Sequence, residues 1–402
     1  MAFISIFNDV LGPVMRGPSS SHTAGAYRIG LIVRDLLGAE PRTARVVFDP
    51  RGSMAPTWRP LGVDLAFASG LMGWSMFDEQ YFDACDRARE RGVVIDFAEA
   101  PLESTDHPNG MMIEVTTAED HGVRVVAEAV GGGGLRIVSL DGRPVDLDGK
   151  MHCSIVKDES GELVTTCGAD PLDRELPTNE KVWNAAPVFF VRRGDPLFAS
   201  SEEMVALAEK HGLSLGHVAL AYETELLGVS EDRAVGEMLE RYAVMESSVT
   251  AGLDDRQSNM LLLQPTASGV FSAEREGQLA SGGIHARAAA RALAVMHHCN
   301  SRGVICAAPT GGSAGTLPGV VTSLVEEMGL THRKIALALF AASAVGLIVA
   351  RRATFAAEMA GCQVEIGVAG AMAAAAVVEA VGGTARLAAD AASISLQNTM
   401  GS

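Results

Sequence analysis

Over residues 1–157 the apolar positions fall in short alternating runs. Segments 44–49 (ARVVFD), 111–116 (MMIEVT), 123–130 (VRVVAEAV) and 135–140 (LRIVSL) have the period of two and the β-branched content of half-buried strands. Residues 24–37 and 81–91 space their apolar side chains at helical intervals instead. Strands mixed with helices in this order predict an α+β domain. The glycines at 131–134 stand between two predicted strands and predict a tight turn with positive φ. Residues 158–200 are polar and irregular apart from an apolar patch at 187–191, a pattern that predicts a linker with a docking segment.

From Ser201 onward the pattern is helical. Ser201-Glu202-Glu203 and Ser230-Glu231-Asp232 each join a capping serine to an acidic first turn, the latter ahead of a helix at 234–253. Helices rich in small residues are predicted at 284–299, 319–328, 333–350, 368–381 and 387–400, with polar loops at 309–317 and 358–363. The fold class expected is therefore an α+β N-terminal domain (1–157), a connecting segment (158–200) and an all-α domain (201–402). The most apolar run, 335–350, is shorter than the roughly 20 residues of a membrane span and predicts a buried helix.

Composition narrows the function. With 32 Lys plus Arg against 49 Asp plus Glu, the net charge is −17, which argues against nucleic acid and anionic membranes as partners. Residues 1–13 have neither a basic start nor a long apolar stretch, so no secretory signal is expected and the expected location is cytoplasmic. The six cysteines show no framework spacing and no CxxC pair, which predicts reduced thiols. A homodimer is the default assembly for an enzyme of this kind.

Four clusters could carry chemistry. Ser19, Ser20, Ser21, His22 and Thr23 follow a Gly-Pro turn and precede a predicted helix. Their hydroxyls and a helix start suit a carboxylate or phosphate, with His22 as an acid or base; a serine-rich capped turn is the plainer reading. Thr310, Gly311, Gly312 and Ser313 lie in a glycine loop whose N–H groups suit an anion, or that merely joins two helices. Cys362, Gln363 and Glu365 open another predicted helix. Cys362 there is either a metal ligand or a small buried hydrophobe, while Glu365 needs a partner in so apolar a setting. His107 and Asn109 lie in a turn before a strand, where His107 either reaches a site or simply completes the turn. The run His297-His298-Cys299 reads as a solvated helix end, because neighbours on a helix point apart.

Together these clusters resemble the iron–sulfur-dependent L-serine dehydratases. The GPSSSHT run of that family stands at 17–23, its glycine loop at 308–318 and its GCQ-x-E segment at 361–367. The resemblance implies deaminating dehydration of a small amino acid, L-serine foremost, to a 2-oxo acid and ammonia, with a [4Fe–4S] cluster as Lewis acid. It implies that Ser19, Ser20, Ser21 and Thr23 hold the substrate carboxylate, with Asn109 and the glycine loop contributing further contacts. His22, His107 and Glu365 would move protons, and Cys362 would be the first cluster ligand. Two features depart from the family. Its CDP and VPC cysteines have no counterpart here, and one thiolate cannot hold a cubane that needs three, so an incomplete C-terminal domain is expected. In the stretch 57–64, Leu61 and Val63 stand where the family has His and Thr, which alters substrate selection or proton transfer. The competing expectations are a cluster-free protein that binds a small carboxylate, and a cluster-free lyase that relies on its own acids and bases.

Overall fold

The computed structural model describes residues 3–158, 160–172, 181–260, 262–355 and 361–399. The chain begins with a helical turn, Ile6–Val10, and strand β1 (Val14–Arg16). A second turn, Ser21–Gly25, runs directly into α1 (Ala26–Leu37), which stops at Gly38 in the left-handed conformation. Then follow β2 (Thr43–Phe48), α2 (Trp58–Leu61), α3 (Val63–Leu71), α4 (Ala84–Glu90) and β3 (Val94–Glu99). Strands β4 (Gly110–Thr116), β5 (Gly122–Ala129), β6 (Leu135–Leu140) and β7 (Arg143–Leu147) form a meander, followed by β8 (His152–Lys157), β9 (Leu163–Gly168) and β10 (Val182–Ala185). The helical half comprises α5 (Ser201–His211), α6 (Leu215–Leu227), α7 (Glu231–Gly252), α8 (Ala267–Arg275) and α9 (Ile284–Asn300). The short strand β11 (Val304–Cys306) leads on to α10 (Thr316–Met328), α11 (His332–Arg352), α12 (Cys362–Ala380) and α13 (Ala385–Gln397).

Two compact units result, Ser19–Arg192 and a second made of Met1–Pro18 with Arg193–Ser402. In the first, a six-stranded sheet has the order β3-β2-β4-β5-β6-β7, with β2 and β3 parallel and the other pairs antiparallel. Strand β4 buries alternate residues, as its period predicts, sinking Met111, Ile113 and Val115 into the core, whereas β2 buries Val46, Val47 and Phe48 in succession. Helices α1 and α3 cross at Gly30 and Gly70. A Cβ on Gly30 would stand 2.6 Å from the Phe67 carbonyl, and one on Gly70 would collide with the Tyr27 carbonyl, so this crossing demands glycine. The predicted turn at 131–134 is present, with Gly131, Gly132 and Gly133 all at positive φ.

Three expectations need correction here. The segment 158–200 is not only a linker, because β9 and β10 flank β8 in a three-stranded antiparallel sheet. Cys153 and Cys167, directly opposed on β8 and β9, are joined in a disulfide and are not reduced thiols. The first 18 residues belong with the helical half and not with the α+β domain: β1 pairs antiparallel with β11, Val14 opposite Cys306.

Within that second unit the helices stop and start where local chemistry dictates. Ser200, Ser214, Ser230, Thr331 and Thr384 each cap a helix by accepting an amide from its first turn. The cap of α5 is thus Ser200, one residue before the expected Ser201. Helix α11 is long and apolar enough to cross a membrane, yet 72% of its apolar window is buried in the protein, as a core helix requires. Gln363–Ala380 in α12 passes the same test and is half buried.

Candidate active site

In the unit Ser19–Arg192, the predicted hydroxyl cluster folds into the helical turn ahead of α1. Ser20, Ser21, His22 and Thr23 are all buried there. His22 Nδ1 lies 3.0 Å from Ser19 Oγ and 3.4 Å from Ser21 Oγ, and its Nε2 lies 3.0 Å from Thr57 Oγ1. The Thr57 hydroxyl donates its own proton to the Ser53 carbonyl, so towards His22 it acts as acceptor. This network assigns the hydrogen to Nε2 and leaves the lone pair of a neutral imidazole on Nδ1, facing the serines. Thr23 Oγ1 is buried without a hydrogen-bond partner. Such an orphaned hydroxyl at a helix start, beside three other hydroxyls, is what a ligand oxygen would satisfy.

The second predicted turn connects to the same network. Asn109 is 1% exposed; its Oδ1 accepts from Ser53 Oγ, its Nδ2 donates to the Ala129 carbonyl at 3.3 Å and its N–H donates to His107 Nδ1 at 3.1 Å. Ser53 therefore links the His107–Asn109 turn to Thr57 and through it to His22. The amide of Asn109 is engaged in holding the turn to β5, and the ring of His107 is half-buried. Sequence reasoning missed Ser53, and it noted Thr57 only as part of the stretch containing Leu61 and Val63. Val63 is fully buried at the start of α3 and Leu61 half-buried at the end of α2.

In the helical unit, the glycine loop and the start of α12 meet. Thr310 Oγ1 donates to Glu365 Oε1 at 2.5 Å and lies 3.2 Å from Ser313 Oγ, which in turn donates to the Ala308 carbonyl at 3.2 Å. Thr310 and Ser313 are buried, whereas Gly312 is exposed. A Cβ at Gly312 would stand 3.0 Å from Glu365 Oε2, so the carboxylate lies close over the loop and a larger residue would make it give by a few tenths of an ångström. Glu365 sits in the first turn of α12, where the helix dipole favours negative charge. The partner that its apolar setting called for is Thr310.

Cys299 lies beneath this loop, contrary to the solvated helix end expected at 297–299. It is 1% exposed, and its Sγ lies 3.5 Å from the Gly311 carbonyl and 3.7 Å from the Pro18 carbonyl. Gly17 packs so tightly on Cys299 that a Cβ there would strike its carbonyl. His297 and His298 are half-buried, and burial holds both below the usual imidazole pKa.

The thiols bear on the cluster that the resemblance implies. Burial pushes the thiols of Cys299, Cys306 and Cys85 up to about 12, and the three do not converge on one site. Cys153 and Cys167 are bonded to each other. The side chain of Cys362, at the first position of α12, lies outside the described residues. Among the described residues no group of three or more His, Cys, Asp or Glu side chains converges as a metal site. The described residues thus do not fit a [4Fe–4S] cubane held by three thiolates.

Comparison with known proteins bears on the whole arrangement. Residues 210–402 match the model of the family described as the serine dehydratase alpha chain. The chain is 33% identical to the probable L-serine dehydratase alpha chain of Bacillus subtilis over 205 residues, which is 51% of this chain and 68% of that one. It is 36% identical to the probable beta chain from the same organism over 169 residues, 42% of this chain and 74% of that one. The L-serine dehydratase TdcG of Escherichia coli matches at 25% identity along 96% of this chain and 81% of its own length. One polypeptide therefore carries likeness to both chains of the two-chain relatives. On these matches, and on the motifs whose geometry is given above, the chain belongs to the L-serine dehydratase family, whose members are lyases.

Proposed function

We propose that the protein converts L-serine to pyruvate and ammonia. The observation that carries this reading is the buried, partnerless hydroxyl of Thr23 beside His22. Relatives that bear the name L-serine dehydratase supply the substrate. In this reading the substrate carboxylate accepts from Thr23 and from the serine hydroxyls at the helix start, which fixes the α-carbon near His22. The lone pair of His22 Nδ1 takes the α-proton, and its Nε2–H stays on Thr57 so that the tautomer is retained. Loss of the β-hydroxyl as water leaves an enamine. Its hydrolysis consumes one water and releases ammonia and pyruvate, so that water balances overall. The Thr310–Glu365 pair keeps the glycine loop in one conformation and Gly312 open to solvent. Because the described residues do not form the thiolate set of a cluster, no step here is routed through one.

A second reading, a binding protein for a small carboxylate, is favoured by the absence of a converging ligand set for a metal among the described residues. One experiment separates the two. Pyruvate formation from L-serine is followed by the purified protein, alongside Thr23→Val and His22→Gln. Dehydration predicts a KM raised about tenfold or more in Thr23→Val, the cost of one buried hydrogen bond to a charge. It also predicts a kcat lowered by about 10²–10⁴ in His22→Gln. Binding of L-serine by calorimetry, with no pyruvate above background, would refute dehydration and establish the second reading.

A further inference from the structure

Strand β9 is one of the two outer strands of the sheet β10-β8-β9, and Cys167 on it is exposed. Its partner Cys153, half-buried on β8, lines a cavity of about 620 Å³ together with Arg34, Glu40, His152, Leu172 and Asn184. Leu172 lies just past the end of β9, whereas Asn184 belongs to β10 and Arg34 to α1. Arg34 is already paired with Glu40 at 2.6 Å, which ties that wall of the cavity in place. No residue of β9 itself lines the cavity, but the wall residue Leu172 rests on the end of that strand: its Cδ2 would stand 3.3 Å from a Cβ on Gly168. The sulfurs of Cys299 and Cys306 are buried in the other unit and so provide internal controls.

We propose that Cys153–Cys167 is a reversible thiol–disulfide exchange site, reduced by dithiols, that tethers the edge strand β9 and thereby sets the width of the adjoining cavity. The exposed Cys167 Sγ is the sulfur an incoming thiolate reaches. Attack there forms a mixed disulfide and expels Cys153 as a thiolate, which takes up a proton. The second thiol of the reductant then attacks the mixed disulfide, releases Cys167 and leaves the reductant oxidised. Two thiols of the reductant become one disulfide, and one disulfide of the protein becomes two thiols. A disulfide oxidant of the glutathione class runs the sequence backwards. Once reduced, β9 keeps its ladder to β8 and surface contacts such as the 2.8 Å ion pair of Arg143 with Glu162 but loses its covalent tie, so it exchanges and moves more freely.

The test uses the whole folded protein, prepared without reductant. It is incubated with dithiothreitol, quenched with N-ethylmaleimide and mapped by peptide mass spectrometry. Cys153 and Cys167 are expected to label together while Cys299 and Cys306 stay unlabelled, and glutathione disulfide is expected to restore the link. Labelling of the pair only when Cys299 and Cys306 also label would overturn the proposal, since the bond would then open only on unfolding. So would a pair that persists as thiols in glutathione disulfide. Hydrogen exchange supplies the second readout. The amides of Leu163–Gly168 are expected to lose protection on reduction, and Cys167→Ser is expected to show that loss without reductant. Equal protection in oxidised protein, reduced protein and the variant would refute the tether.

Discussion

Glu223, on α6, is a fully buried carboxylate that the chain's first residues enclose. It accepts from Ser5 Oγ at 2.5 Å, from the Ile6 N–H at 2.8 Å and from the Phe7 N–H at 3.0 Å. Burial nevertheless dominates those three donors and, aided by the nearby charge of Asp9, pushes its pKa to about 7. A carboxyl whose folded pKa lies above its ordinary 4.5 binds its proton more tightly when folded. Its ionisation therefore removes stability as pH rises from about 5 to about 7, and the loss persists above that. The gap corresponds to about 3 kcal/mol. In Glu223→Gln the side chain is neutral at every pH, so this slope disappears. The amide carries a constant cost of about 1–3 kcal/mol, because its NH₂ faces donors. The prediction is that the variant gains on the natural protein by about 3 kcal/mol between pH 5 and pH 8. Guanidinium unfolding followed by far-UV dichroism reads the helical unit. The three tryptophans, Trp58, Trp74 and Trp183, all lie in the other unit, so their fluorescence is an internal control. A stability difference that does not change with pH, or that changes in the opposite direction, would refute the reasoning.

Three further outcomes follow from the geometry. Thr57→Val removes the acceptor for His22 Nε2–H and should lower kcat about tenfold with little change in KM, with Thr57→Ser restoring it; steady-state serine kinetics decide, and an unchanged kcat counts against the assigned tautomer. Thr310→Val leaves Glu365 without its described donor and should destabilise the helical unit by about 1–3 kcal/mol, read as a lowered dichroism midpoint with tryptophan fluorescence unmoved. Gly70→Ala forces a methyl group onto the Tyr27 carbonyl where α1 and α3 cross. It should cost the α+β unit about 1–3 kcal/mol, read by tryptophan fluorescence, and a neutral result would mean the helices separate freely.

What the sequence discloses depends on how local the physics is. Strand β4 was legible because one face is buried and its residues alternate, and β5 and β6 because they are rich in β-branched and apolar residues, β5 burying Val125, Val126 and Ala127 in succession. Strand β9 was not, because as an outer strand it leaves Val164, Thr165 and Cys167 exposed and carries no apolar period. The N-terminal segment was misassigned for a different reason. Its partners, β11 and Glu223, are far away in sequence, and a non-local pairing leaves no mark on periodicity. The cap of α5 was displaced by one residue because two serines adjoin. Ser200 has the extended backbone that a cap needs, and its Oγ accepts from the Glu203 N–H. Among the chemical clusters, residue type revealed Ser19–Thr23 and Thr310–Ser313. The roles of Ser53, Thr57 and Cys299 depend on three-dimensional proximity alone.

That last point bears on Leu61 and Val63. Leu61 and Val63 lie on either side of Gly62, where α2 gives way to α3, a few residues beyond Thr57. Thr57 keeps its hydrogen bonds to His22 and to the Ser53 carbonyl, so apolar side chains at 61 and 63 leave the tautomer of His22 fixed. The buried Val63 needs no partner, whereas a threonine hydroxyl there would require one or impose a desolvation cost of about 1–3 kcal/mol. Apolar side chains at 61 and 63 thus leave the network's chain of donors and acceptors intact. Changes at Leu61 and Val63 should therefore alter which β-substituted amino acid is preferred before they alter whether His22 can act.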